Sequence, residues 1–281
     1  MGDILRVVIK DKIQLLKRDL EQYGSMAVAL SGGRDSTFLT WLAAEVLNHN
    51  ITAVTISSPF SIKEELEFAG SFMRSIGVEH EILMLDPLTI REIRLNQPDR
   101  CYHCKRYLFH EIHQYARKRG ISHIADGSHL SDDEDYRPGT RALQELGIHS
   151  PLKTAGFRKE DIDEAIALYG LNIPFRFPNA CLASRIPYGM EISKQILGLI
   201  ERGEELLQQL GFNPVRVRYH REIARIELSE AGIQRIGRDP GLREILLREF
   251  KIIGFSYICL DLEGYRRGSL NEVISTQSSQ K

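Results

Sequence analysis

Three stretches of this chain carry chemistry by residue type and spacing. The first is Ser31-Gly32-Gly33-Arg34-Asp35-Ser36-Thr37. It follows the apolar run Met26–Leu30 and opens an apolar stripe at helical spacing, Phe38, Leu39, Trp41, Leu42 and Val46. A strand feeding a glycine turn and a helix start builds an anion site, because unpaired N–H groups point outward and the helix dipole favours negative charge. Two glycines let the backbone close on an oxygen-rich ligand. No lysine follows as in the G-x-x-x-x-G-K-[ST] loop, so nothing local holds a terminal phosphate. The second stretch is Cys101-Tyr102-His103-Cys104, a C-x-x-C at a helix start, a position suited to thiolate chemistry. Alone it reads as half a zinc site, a redox pair or two ligands of an iron–sulfur cluster. A zinc site needs a second pair or histidines at matching spacing; none is evident, although His103 and His110 are near. The third is Cys181 in a connector, with Arg185 nearby to stabilise a thiolate or bind a phosphate.

The elements that must position these groups alternate. A helix is expected over 4–22, then strands at Met26–Leu30, Ile51–Ser57, Glu81–Leu85 and Ile121–Ala125, with helices at 61–76 and 102–119 between the later ones. Such alternation predicts an α/β fold, a doubly wound parallel sheet with ligands at the carboxyl ends of its strands. Ser31–Thr37, Ser57 and Asp126-Gly127-Ser128 all fall at such ends, which makes Ser57 and Gly127 candidates for the nucleotide site. Residues 127–157 read as loop-rich, and the acidic run Asp132–Asp135 reads as a solvated loop or a segment that orders over the nucleotide. A helix follows at 161–169, then a proline-rich extended connector over 174–189. Beyond it come a helix capped by Ser193, a hairpin at 215–219 and 223–228, a helix at 242–250 and a strand at 255–260. The expected organisation is a first domain over 1–180 and a smaller C-terminal α+β domain over 190–272, with a frayed tail after Asn271.

Composition narrows the function classes. The formal net charge is −1, which argues against a dedicated nucleic-acid or membrane surface. No apolar run approaches the roughly 18 residues of a membrane span. Residues 1–20 mix acids, bases and apolar residues, unlike a signal peptide, so the expected compartment is the cytoplasm. In that compartment the four cysteines, Cys101, Cys104, Cys181 and Cys259, are expected to serve thiolate or metal chemistry rather than disulfides. Cys259 lies in an apolar strand and is expected in the core.

S-G-G-x-D-S resembles the pyrophosphate loop of the PP-loop enzymes, adenine nucleotide α-hydrolase-like proteins that cleave ATP between the α- and β-phosphates. SGGRDST, DRCYHCK, DYRPGTRALQELGIHSPL, CLASRIPYG, RVRYHREIARIEL and LDLEGYRRGS occur here in that order, and together they resemble the LarE family of ATP-dependent sulfur transferases. The resemblance implies adenylylation of a carboxylate of a pyridinium dicarboxylate mononucleotide, then sulfur delivery through a cysteine matching Cys181. The product would be a thiocarboxylate precursor of the nickel-pincer nucleotide. It implies a nucleotide site at Ser31, Gly32, Gly33, Asp35, Ser36 and Thr37, with Asp35 as the carboxylate that meets Mg2+. It further implies a substrate site at Arg216, Arg218, Glu204 and Glu227. Single-cysteine members sacrifice that cysteine, leaving dehydroalanine. This chain also carries Cys101 and Cys104, and so resembles the members whose three cysteines hold a [4Fe-4S] cluster. The implied partners are a small-molecule nucleotide, a sulfide or persulfide donor and further copies of the chain in a hexamer.

Two other readings fit parts of the pattern. A tRNA-thiolating PP-loop enzyme can share the three-cysteine cluster, but the near-neutral charge and lack of an evident RNA-binding module weigh against it. A nucleotide-binding regulatory protein with a zinc-stabilised loop is separated from both by its metal, zinc against iron with acid-labile sulfide.

Overall fold

The computed structural model describes residues 2–134, 138–174, 181–266 and 268–271, without the side chains of 2–6, 133, 134 and 271. Asp135, residues 175–180 of the 174–189 connector and the tail after Asn271 therefore lie outside the described residues. The chain divides into two compact units, Met1–Pro87 with Cys101–Asn179, and Leu88–Arg100 with Ala180–Lys281.

The first unit is built on a parallel sheet of four strands, β1 (Met26–Ala29), β2 (Ile51–Ser57), β3 (Glu79–Met84) and β4 (Ile124–Ala125), in the order β3-β2-β1-β4. Helices α1 (Gly2–Glu21), α2 (Arg34–Val46) and α3 (Lys63–Ser75) pack on one face, where Leu16, Leu20, Val28, Phe38, Leu39 and Met73 share a core. On the other face Ala27 and Val54 meet Phe109 and Ile112 of a long helix, which with a four-residue helical turn before it gives α4 (Arg91–Arg94) and α5 (Arg100–Lys118). Both faces of β1 are thus buried, which is why its sequence is a continuous apolar run rather than an alternation. The chain moves outward from β1 to β3, then returns along α5 to place β4 on the other side of β1. The sheet reverses its winding between β1 and β4, and the crevice outside their carboxyl ends is the expected ligand site.

Residues expected to be loop after β4 instead form a 3-10 turn (Leu130–Glu134) and the short helices α6 (Gly139–Glu145) and α7 (Pro151–Thr154), followed by α8 (Lys159–Leu168). The strand expected from Ile121 is reduced to Ile124–Ala125, and His149 adds one parallel bridge beside Ala125.

The second unit holds α9 (Lys194–Gln209), the antiparallel pair β5 (Val215–His220) and β6 (Ile223–Leu228), then α10 (Glu230–Arg238), α11 (Pro240–Ile253) and β7 (Tyr257–Leu260), which joins β6 in parallel. Ser193 caps α9 by accepting the Ile196 N–H at 3.2 Å. Val215, Val217, Ala224, Ile226 and Leu228 turn one sheet face onto Leu207, Leu246 and Phe250. The segment 88–100 is stitched into this unit. Asn96 donates to the Ile186 and Pro187 carbonyls and its own carbonyl accepts from Gly189, while the Arg100 guanidinium reaches the Ala183 carbonyl at 3.0 Å. Cys259 is exposed, which corrects its expected place in the core: β7 is an edge strand, and its alternation turns Tyr257 and Cys259 outward. Among the described residues no helix is long and apolar enough to cross a membrane.

Candidate active site

The loop between β1 and α2 is held by its own hydroxyls. Ser31 Oγ and Ser36 Oγ stand 3.0 Å apart, Ser36 Oγ accepts the Ser31 N–H at 3.2 Å, and Ser31 Oγ accepts the Gly33 N–H at 3.2 Å. Thr37 is buried and donates to the Gly33 carbonyl at 2.8 Å. Gly32 takes φ +82°, and a Cβ there would overlap the Glu65 carbonyl. Gly33 caps α2 without a side-chain hydrogen bond, so the first helical N–H groups face the crevice at the end of β1. The sequence-expected residues Ser31, Gly32, Gly33, Asp35, Ser36 and Thr37 are therefore gathered in one turn. Gly127 joins them: a Cβ on it would stand 2.7 Å from the Ser36 amide nitrogen. Ser57 ends the neighbouring strand β2, opposite Met84.

Asp35 has partners that no local pattern announces. Lys159, the first residue of α8, places its Nζ on Asp35 Oδ1, and His129 Nε2 lies 3.7 Å from Oδ2. Burial would push the Asp35 carboxyl up, but His129 and Lys159 outweigh it and hold the group below the ordinary carboxylate range. Asp132 completes the set, accepting the His129 N–H at 3.2 Å. Next door, Asp126 accepts from Ser150 Oγ at 2.7 Å and lies 4.0 Å from Lys105 Nζ. A cavity of about 200 Å³ opens there, lined by Lys105, Ser128, His129, Asp132, Ser150 and Lys153 among others. His129 was findable in principle, because it stands four residues beyond the end of β4. Lys159 carried no such signal.

Cys101 and Cys104 occupy the first turn of α5, both half-buried, and Gly139 of α6 packs against the Cys101 carbonyl and the Lys105 side chain. Tyr102 donates to Glu145 at 2.7 Å. Cys181, exposed, precedes the 3-10 turn Leu182–Arg185 of the second unit. Among the described residues no three His, Cys, Asp or Glu side chains are grouped to hold a metal ion.

The second unit buries a charged network around β5 and β6. Arg218 meets Glu227 in a two-point pair at 2.9 and 2.7 Å, and also donates to the Ser184 carbonyl and Ser269. Arg185 is fully buried and pairs with both oxygens of Glu204 at 2.9 Å. Burial works against the Arg185 charge, and Glu204 more than restores it. Glu204 also accepts the Val217 N–H at 3.0 Å. Arg216 lies over the Tyr265 ring, 5.0 Å from its centroid. Burial, with Arg185 close by, holds the Arg216 guanidinium below its ordinary value. Neither arginine lies on a solvated face. The three motifs quoted for this half of the chain meet here. Gly264 makes the approach possible, since a Cβ on it would stand 2.6 Å from the Leu228 carbonyl.

Comparison with known proteins agrees with this geometry. The model of the NAD synthase family matches residues 8–123, which include the loop and the C-x-x-C turn. The chain is 37% identical over 268 residues to an uncharacterised protein of Synechocystis sp., covering 95% of this chain and 100% of that one. It is 31% identical over 262 residues to an uncharacterised protein of Methanocaldococcus jannaschii, covering 92% and 99%. It is 35% identical over 259 residues to the pyridinium-3,5-bisthiocarboxylic acid mononucleotide synthase of Lactiplantibacillus plantarum, covering 92% of each chain. A likeness running almost the whole length of both proteins, over a parallel sheet with a pyrophosphate-type loop at its switch point, makes this chain a member of the LarE family of ATP-dependent sulfur transferases, within the PP-loop enzymes.

Proposed function

We propose that this enzyme converts a carboxylate of pyridinium-3,5-biscarboxylic acid mononucleotide into a thiocarboxylate, for nickel-pincer nucleotide synthesis. The observation that carries the reading is the Ser31–Thr37 turn, which sets Asp35 at the start of α2 beside an array of helix N–H groups. A substrate carboxylate oxygen attacks the α-phosphorus of ATP, the bond from that phosphorus to the bridging oxygen breaks, and pyrophosphate leaves with the electron pair. The acyl adenylate then has AMP as a leaving group. A sulfur nucleophile forms the C–S bond, loses its proton and expels AMP, where water is kept out. In this scheme the loop N–H groups bind pyrophosphate, and Arg216, stacked on Tyr265, is a candidate for holding the substrate phosphate.

The donor set at Asp35 suits Mg2+, which commonly takes one or two carboxylates and completes its shell from phosphate and water. When bound, the ion would neutralise phosphate oxygens in the departing pyrophosphate. Cys101, Cys104 and Cys181 are soft thiol donors of the type that holds iron–sulfur clusters, and the i, i+3 spacing of the first two supports a shared ligand face. On that residue type and spacing the three cysteines are proposed to hold the [4Fe-4S] cluster that the resemblance implies.

The test is anaerobic purification, followed by incubation with the pyridinium dicarboxylate nucleotide, ATP, Mg2+ and sulfide. Pyrophosphate, AMP and a thiocarboxylate of matching mass are expected. Thiolated tRNA with no change in the nucleotide would overturn the reading.

A further inference from the structure

The geometry points to Thr55 and His80 as the pair that aims the nucleotide loop, positioning residues that act through the peptide plane between Leu30 and Ser31. The inference rests on the nucleotide reading above. Leu30 is the first residue past β1, where the chain leaves the sheet for the loop. Its N–H donates to the Val54 carbonyl at 2.9 Å, and its own carbonyl accepts the Thr55 hydroxyl at 2.8 Å. The next N–H, on Ser31, donates to Ser36 Oγ at 3.2 Å. A peptide unit is planar, so bonds at its carbonyl end and its N–H end together fix how it is turned. That turn sets the direction in which Gly32, Gly33 and the first N–H groups of α2 face.

The hydroxyl is itself held. His80 of β3 sets Nε2 2.8 Å from Thr55 Oγ1. The single hydroxyl proton goes to Leu30, because a carbonyl can only accept. Thr55 Oγ1 therefore accepts from His80, and the neutral ring carries its proton on Nε2. Thr55 and Leu30 are buried, away from water that would compete for these bonds. The other ring nitrogen of His80 faces α3: a Cβ on Gly70 would stand 3.9 Å from Nδ1 and 3.4 Å from an Arg74 guanidinium nitrogen. Burial, then Arg74, push the His80 imidazole below its ordinary range against a weaker pull from Glu81. The relay thus crosses three adjacent strands, β3, β2 and β1, and ends on the loop. Ser31, Ser36 and Thr37 shape the loop from within, whereas Thr55 and His80 tie it to the sheet. Pyrophosphate must leave in line from the α-phosphorus. A misaimed loop still meets phosphate oxygens, so the loss falls on rate more than on affinity.

The assay is ATP–pyrophosphate exchange by the full chain, with Mg2+ and the pyridinium dicarboxylate nucleotide and without sulfide. Thr55→Val removes the hydroxyl and keeps the branched shape. It is expected to lower kcat about ten- to hundredfold while KM for ATP moves by less than about threefold. Thr55→Ser, which restores the hydroxyl, should recover most of the rate. His80→Leu should lower kcat as well, and His80→Gln, which keeps an N–H donor, should lose less. A merely structural pair would lower the unfolding temperature and leave kcat per folded molecule unchanged. A second measurement needs no activity: nitrogen NMR of the histidine-labelled chain, with the His80 signals identified by their loss in His80→Gln, should show the Nε2–H tautomer. Unchanged kcat in folded Thr55→Val, an equal loss in Thr55→Ser, or an Nδ1–H tautomer at His80 would overturn the inference while leaving the nucleotide site standing. A wild-type chain that neither bound MgATP nor exchanged pyrophosphate would overturn both.

Discussion

Gly127 rests on the backbone of Ser36, so that the turn after β4 lies flush with the first turn of α2. Because the neighbour is backbone, it cannot give way as a long side chain would. Gly127→Ala is expected to push α2 and the β4 turn apart and to cost about 1–3 kcal/mol. Thermal unfolding should show the loss, and ATP–pyrophosphate exchange should fall further than the stability change accounts for.

Asp35→Asn is expected to leave the fold intact and to lower pyrophosphate release strongly. The carboxyl is held below its ordinary value of 3.8, so its contribution to stability is full above that value and is lost as pH falls through the lower folded value. The variant should therefore show a flatter acid limb in a plot of stability against pH. Unchanged pyrophosphate release at saturating ATP and Mg2+ would remove Asp35 from the reaction.

Arg216 and Arg218 share a strand face but should fail differently. Arg218 is locked to Glu227, itself fully buried, so Arg218→Ala leaves that carboxylate only the 3.3 Å contact of Arg225 and the hydroxyl of Ser269 and is expected to destabilise by about 1.5–3 kcal/mol. Arg216→Ala is expected to weaken the substrate nucleotide more than ATP, with a smaller change in unfolding. Denaturant titration and paired binding assays separate the two.

The three cysteines distinguish two ways of supplying sulfur. With a shared cluster, replacing Cys101, Cys104 or Cys181 by Ser should deplete iron and abolish sulfur transfer, while AMP transfer survives. With a sacrificed Cys181, the other two become dispensable and turnover stops at one per chain. Intact mass spectrometry after reaction decides, because dehydroalanine at position 181 forming in step with product would sink the cluster.

Much of the nucleotide loop was legible because its signals are local. An apolar strand, two glycines and an amphipathic helix occupy one short stretch, and hydroxyls at 31, 36 and 37 bond within it. What escaped the sequence is what tertiary packing brings in. Lys159 and His129 reach Asp35 from distant segments, and Arg185 finds Glu204 only once the 3-10 turn meets α9. Helix α10 gives a weak sequence signal because Gly232 and Gly237 interrupt its pattern, although Gly232 lets the helix approach Leu228 and Phe212. Cys259 was misplaced because apolar neighbours suggested burial, whereas strand alternation at a sheet edge governs which way it turns.

The stretch 88–100 leaves one unit, serves the other and hands the chain back. During synthesis on the ribosome it emerges long before its counterparts. The buried Asn96 side chain waits for the Ile186 and Pro187 carbonyls, and the Asn96 and Arg94 carbonyls wait for the N–H groups of Gly189 and Ile192. A nascent chain stopped after Asn179 therefore carries an orphaned apolar and amide-bearing flap within an otherwise finished sheet unit. The order of translation builds into this protein an interval in which Ile93 and Asn96 are open to chaperones, to proteases and to one another's copies on neighbouring ribosomes.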